Sequence, residues 1–108
     1  MEKVIAVDFD GCLCEIAWPD IGCANEKVIT DLIVLRNAGV KVILNTCREG
    51  KLLENAVAWC CDRGLDFDAV NENLPERIEL YGGDCRKISA DEYWDDKAVN
   101  IKYEGEKC

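Results

Sequence analysis

The 108-residue chain contains no histidine and only two prolines. The missing imidazole removes serine–histidine–aspartate hydrolysis, cysteine–histidine proteolysis, histidine zinc sites and histidine-mediated proton transfer. Any catalysis must rest on carboxylates, Lys, Cys or Tyr. No stretch approaches the roughly eighteen consecutive apolar residues that span a bilayer, so no membrane partner is expected. The opening Met1-Glu2-Lys3 runs into an apolar segment without the h-region and small-residue cleavage site of a secretory signal, which predicts a cytoplasmic protein. Positive charge is scarce too, with 13 basic against 22 acidic residues and a net charge of -9. Nucleic acid, which needs a basic footprint to displace counterions, is therefore a disfavoured partner. A metal ion or a local cation can still invert the potential of one pocket, which leaves room for a small phosphate ester.

Cysteine, by contrast, is abundant, at positions 12, 14, 23, 47, 60, 61, 85 and 108. No CxxC pair occurs, which weakens a zinc or iron–sulfur reading. Cys60 and Cys61 fall in a helical pattern, where neighbours point about 100° apart and chelate poorly together. With no export signal, most of the eight are expected to be reduced, small core-fillers.

Lys3-Val-Ile-Ala-Val-Asp8 is a near-continuous apolar run ending in acid, the pattern of a strand buried on both faces of a parallel sheet. Residues 11–24, with Gly11, Pro19 and Gly22, read as an irregular loop. A helix is expected from an Asn25 N-cap through Val28, Ile29, Leu32 and Leu35 to a stop at Gly39. Lys41 to Thr46 forms a second buried strand, and a second helix carries Leu52, Leu53, Ala56, Val57 and Cys60 and ends at Gly64. A short strand over Phe67 to Val70, a helix from Pro75 to Tyr81 and a strand region from Ile88 to Trp94 complete the pattern. This alternation predicts one α/β domain over residues 1–108, a Rossmann-like three-layer fold with a mainly parallel central sheet. Ligands of such sheets bind beyond the carboxyl ends of the strands, which nominates Asp8 to Gly11, Thr46 to Glu49 and Asp95-Asp96.

Asp8 and Asp10 lie two apart at a strand end, and close carboxylates repel unless a cation or a shared proton relieves them. Carboxylate oxygens suit Mg²⁺, which binds through one or two acids plus substrate phosphate. Gly11 lets the backbone turn sharply beside a ligand. Thr46 ends the next strand, and Cys47-Arg48-Glu49 at the expected start of a helix offers a hydroxyl and free N–H groups to a phosphate oxygen. Asp95-Asp96 closes the last strand, where alternation lets only one of the two acids ligate directly. Trp18 and Pro19, and Asn71, Glu72 and Asn73, are further substrate-facing candidates on loops.

The order Asp8-Phe9-Asp10-Gly11-Cys12, Thr46, Lys87 within Arg86-Lys87-Ile88-Ser89, then Asp95-Asp96 resembles the four motifs of the haloacid dehalogenase superfamily. Cys12 stands where that family usually has Thr or Val, and Arg86 offers a second cation beside Lys87. The resemblance implies a Mg²⁺-dependent phosphatase with Asp8 as nucleophile and Asp10 as general acid and base. It further implies metal ligation by Asp8, the Asp10 carbonyl and Asp95, supported by Asp96, with Thr46 and Lys87 on the phosphoryl oxygens. Intervals too short for an inserted cap domain imply the minimal, uncapped type, open to a phosphorylated small molecule or a phosphorylated macromolecule end. The competing expectations are a catalytically silent metal- or phosphate-binding module of the same fold and a cysteine-based metal or redox protein.

Overall fold

The computed structural model describes residues 2–102 and 104–105; Cys108 lies outside them. Strand β1 (Val4–Val7) is the centre of the molecule, with all four residues buried. It pairs in parallel with β4 (Lys41–Leu44) on one side and with β6 (Glu92–Trp94) on the other. The two-residue strand β5 (Ala69–Val70) adds to β4, giving the order β5-β4-β1-β6.

Strand alternation sends side chains to two cores. Ile5, Val7, Val42 and Leu44 pack with Ile29 and Leu32 of helix α1 (Glu26–Asn37) and with Ala56 and Cys60 of helix α2 (Gly50–Asp62). Val4, Ala6, Ile43 and Ala69 face the other way, against Leu74 and Ile88 at either side of helix α3 (Pro75–Tyr81). Two faces covered by helices explain why β1 and β4 read as unbroken apolar runs. The fold is the expected α/β architecture: a parallel sheet between helices.

Residues 11–24 are not an irregular loop. Strands β2 (Cys14–Ala17) and β3 (Asp20–Ala24) form an antiparallel hairpin, with Ile16 opposite Ile21 and Ala17 opposite Asp20. Its alternation is invisible in sequence because β2 buries only Cys14 and leaves Ile16 exposed. Gly22 is required by close approach, since a Cβ there would overlap the Glu15 carbonyl oxygen. The Asn25 side chain does not cap α1 either. Its amide donates instead to the Cys12 carbonyl at 2.9 Å, tying the helix start to the turn after β1.

The cysteines divide. All seven described ones are free, as expected, but only Cys14 and Cys60 are buried and Cys12 is half-buried. Cys23, Cys47, Cys61 and Cys85 are exposed, so the core-filler expectation fails for those four. Cys61 shows why: it sits next to buried Cys60 on α2 but one helical step round, on the solvent side.

Phe9 joins the core to the residues beyond β1. Its ring is fully buried and meets Trp59 edge-on at 5.6 Å. Phe9→Ala is expected to cost about 3–5 kcal/mol in urea unfolding, the range for truncating a buried aromatic.

Candidate active site

Parallel pairing of β1 with β6 sets Val7 beside Trp94, and the Asp8 N–H continues the ladder to the Trp94 carbonyl at 2.9 Å. The two chains leave the sheet together, each carrying acid. Oxygens of Asp8, Asp95 and Asp96 all lie within 4.8 Å of one another. Strand alternation was expected to turn one of the last two away. However, β6 ends at Trp94, so Asp95 and Asp96 lie in the turn that follows and both reach the cluster. Gly11 makes room for them: its φ is +87°, and a Cβ would overlap the Asp96 carboxylate.

The cluster is electrostatically uncomfortable without a cation. Burial pushes the Asp8 carboxyl above its ordinary range, and Asp95, Asp96 and Asp10 add to the rise. The Phe9 N–H, donating to Asp8 Oδ1 at 2.8 Å, opposes it. Burial and the same field of acids push the Cys12 thiol up to about 11. A thiol so held stays protonated and unreactive near neutral pH.

Asp10 contributes no carboxylate oxygen to the cluster. It turns to Arg48, whose Nε and Nη2 donate to its two oxygens at 2.9 and 2.7 Å. Arg48 also donates to the carbonyls of Pro19 at 3.1 Å and Asp20 at 2.9 Å in the hairpin. Its guanidinium carbon lies 5.0 Å from the ring centroids of both Phe9 and Trp18, and the side chain is 1% exposed. The bond to Asp10 holds its pKa above even the usual arginine value. All three guanidinium nitrogens of Arg48 thus donate inside the protein, to Asp10 and to the hairpin, and the side chain that was expected to bind substrate is buried. Trp18, half exposed, covers Arg48 at the hairpin tip. A strand-end pair of acids signalled that a cation was needed, but the sequence could not divide the acids between a metal and an arginine 38 residues away.

Thr46 follows β4, and its Oγ1 accepts the Arg48 N–H at 3.2 Å. Helix α2 begins at Gly50, so Cys47 to Glu49 form a bend before the helix and not its first turn. Cys47 is exposed there. Lys87 is exposed, with Nζ 5.5 Å from the Tyr93 ring centroid. It lines an open cavity of about 730 Å³ together with Tyr93 and Asp95, whereas Arg86 is not among the lining residues.

The fold has a solved counterpart. The structure of a conserved protein from Bacteroides thetaiotaomicron is similar to this chain with a TM-score of 0.81 and 39% sequence identity, over 92% of this chain and 79% of that one. This chain belongs to the family of that protein. No family model and no curated protein matches it.

In this member of the Bacteroides protein's family, Asn73 lies inside the protein, whereas Asn71 is exposed. Asn71 accepts the Thr46 N–H at 2.8 Å, and Asn73 is buried.

Removing Arg48 leaves Asp10 and two hairpin carbonyls without partners. Arg48→Met is expected to destabilise by about 3–5 kcal/mol in urea unfolding, the range for breaking a buried pair from one side. Asp8→Asn should act in the opposite sense. Asp8 titrates higher in the folded than in the unfolded chain, so the metal-free protein loses stability as pH rises from the ordinary carboxylate range through the raised value. At pH 7 without metal, Asp8→Asn is expected to melt above wild type in a calorimetric scan, and Mg²⁺ should raise the wild-type midpoint more than the variant's.

Proposed function

We propose that this protein is an uncapped phosphohydrolase of the haloacid dehalogenase type, cleaving a phosphate monoester through an aspartyl-phosphate on Asp8. The observation that carries the reading is the convergence of Asp8, Asp95 and Asp96 at the adjacent ends of β1 and β6. An all-oxygen donor set of this kind fits Mg²⁺, and the raised Asp8 pKa marks a site where a cation lowers the energy. Once bound there, Mg²⁺ would offset charge on the phosphoryl oxygens and the acids.

An Asp8 carboxylate oxygen attacks phosphorus as the bond to the ester oxygen breaks, and the alcohol leaves with a proton. Water then attacks the same phosphorus, the bond from phosphorus to Asp8 breaks, and inorganic phosphate departs from a regenerated carboxylate. Two displacements replace one difficult hydrolysis. Thr46 and Lys87 bind phosphoryl oxygens and balance charge that grows in each transition state.

Asp10 serves as the proton carrier. Each of its oxygens accepts one Arg48 N–H and keeps a second acceptor site for the proton of the attacking water. Giving a proton to the leaving alcohol requires Arg48 to release one bond, because a carboxyl O–H oxygen is a poor acceptor.

The cavity shared by Lys87 and Asp95 is open, and the chain between β1 and α1 is a hairpin with no room for a cap domain. Those features suit a phosphorylated small molecule or the phosphorylated end of a macromolecule. The net charge of -9 disfavours nucleic acid. Among the described residues no helix is long and apolar enough to cross a membrane.

A panel of phosphate monoesters with Mg²⁺ tests the proposal. Turnover is expected, lost on chelation and in Asp8→Asn. Lys87→Ala should lower kcat/KM by about 10²–10³, the scale for losing one charge-stabilising donor, while Arg86→Ala stays near wild type. Tight Mg²⁺ and phosphate binding with no turnover on any ester would instead identify a silent binding module.

A further inference from the structure

The chain leaves β5 at Val70 and enters the turn Asn71-Glu72-Asn73. Asn71 adopts φ +53°, a left-handed conformation that asparagine tolerates better than most residues. Its own N–H donates to the Leu44 carbonyl at 2.7 Å, which anchors the turn to the end of β4. Its side-chain Oδ1 accepts the Thr46 N–H at 2.8 Å, and its Nδ2 donates to the Arg48 carbonyl at 3.4 Å. One amide thus holds both ends of the Thr46 bend.

Two residues on, Asn73 does the same for a different loop. It is 3% exposed, and its Nδ2 donates to Asp84 Oδ1 at 2.8 Å, to the Cys85 carbonyl at 3.1 Å and to the Lys87 carbonyl at 3.4 Å. Its Oδ1 accepts the Ser89 N–H at 2.6 Å. The segment from α3 to β6 has no helix or strand of its own, and these bonds help to fix the stretch that carries Lys87, beside the Arg77 bond to Ser89 Oγ at 2.6 Å, the Tyr93 hydroxyl's bond to the Ile88 carbonyl and the burial of Ile88. A primary amide is suited to this task because it donates and accepts at once without charge.

We infer that the Asn71-to-Asn73 turn is a brace that sets the distance between the two phosphate-binding groups, with Asn71 positioning Thr46 and Asn73 positioning Lys87. Neither asparagine touches substrate; each acts through the loop it holds. The inference rests on the phosphohydrolase reading and adds to it the element that fixes the width of the phosphoryl site. A turn between two loops can do this because its Asn71 N–H is pinned to the end of β4.

Double-mutant cycles test it. Asn73→Ala is expected to lower kcat/KM by about ten- to a hundredfold, the scale for misplacing a catalytic group by roughly an ångström. That loss should shrink to near onefold in a Lys87→Ala background and persist in a Thr46→Ala background. Asn71→Ala should show the reverse dependence. Asn73→Leu, which keeps the size and shape without charge but loses the hydrogen-bonding groups, should behave as Asn73→Ala does while retaining a cooperative melt. A global folding defect would not sort itself by background in this way. Losses that multiply equally in both backgrounds, in an enzyme whose turnover depends on Asp8, would overturn the brace and leave the phosphohydrolase reading intact. Turnover absent in wild type, or undiminished by Asp8→Asn, would overturn both.

Discussion

One buried guanidinium joins the parts of this molecule that the sheet alone does not connect. Arg48 comes from the bend before α2, Asp10 from the turn after β1, and Pro19 and Asp20 from the hairpin. Desolvating an arginine is tolerable only when its donors are filled and a carboxylate is at hand. Here both conditions hold, and the Phe9 and Trp18 rings close the two faces. The hairpin therefore rests on the same charge pair that orients Asp10. Stability of the fold and geometry of the site draw on one interaction.

The acids are divided accordingly. Asp10 is neutralised from within the protein, whereas Asp8, Asp95 and Asp96 face one another with no basic side chain bonded to them among the described residues. Like charges at this range raise the energy of the folded state unless a cation or a proton intervenes. The arrangement thus gives up stability wherever neither a cation nor a proton relieves the three acids. Cys12, lodged among the same acids, is kept protonated first by its burial and then by their field.

The strands and helices were legible where burial was two-sided or periodic. β1 and β4 announced themselves as apolar runs, and α3 spans the expected Pro75 to Tyr81. The acids at the ends of the first and last strands were legible because a parallel sheet collects its strand ends at one edge. What escaped the sequence depended on partners far along the chain. The hairpin shows little alternation because one strand is mostly exposed, and the Asn25 amide was diverted from its helix by a carbonyl thirteen positions back. Arg48 looked like a phosphate ligand for its place after Thr46, since nothing local signals that Asp10 has already claimed it. The exposed cysteines broke a rule of composition that says nothing about individual positions.

The placement of β6 has a consequence in time as well as space. The nucleophile candidate follows the first strand and its acidic neighbours follow the last, and the backbone of Val4 meets Asp91 across 87 positions. Contacts of such sequence separation form late, after local helices and the β1–β4 pairing have closed the shorter loops. A chain still emerging from the ribosome would carry Asp8 with nothing to answer it. On the proposed reading, chemistry at this site would begin only when the final strand docks, and the order of synthesis itself would guard against a half-made enzyme.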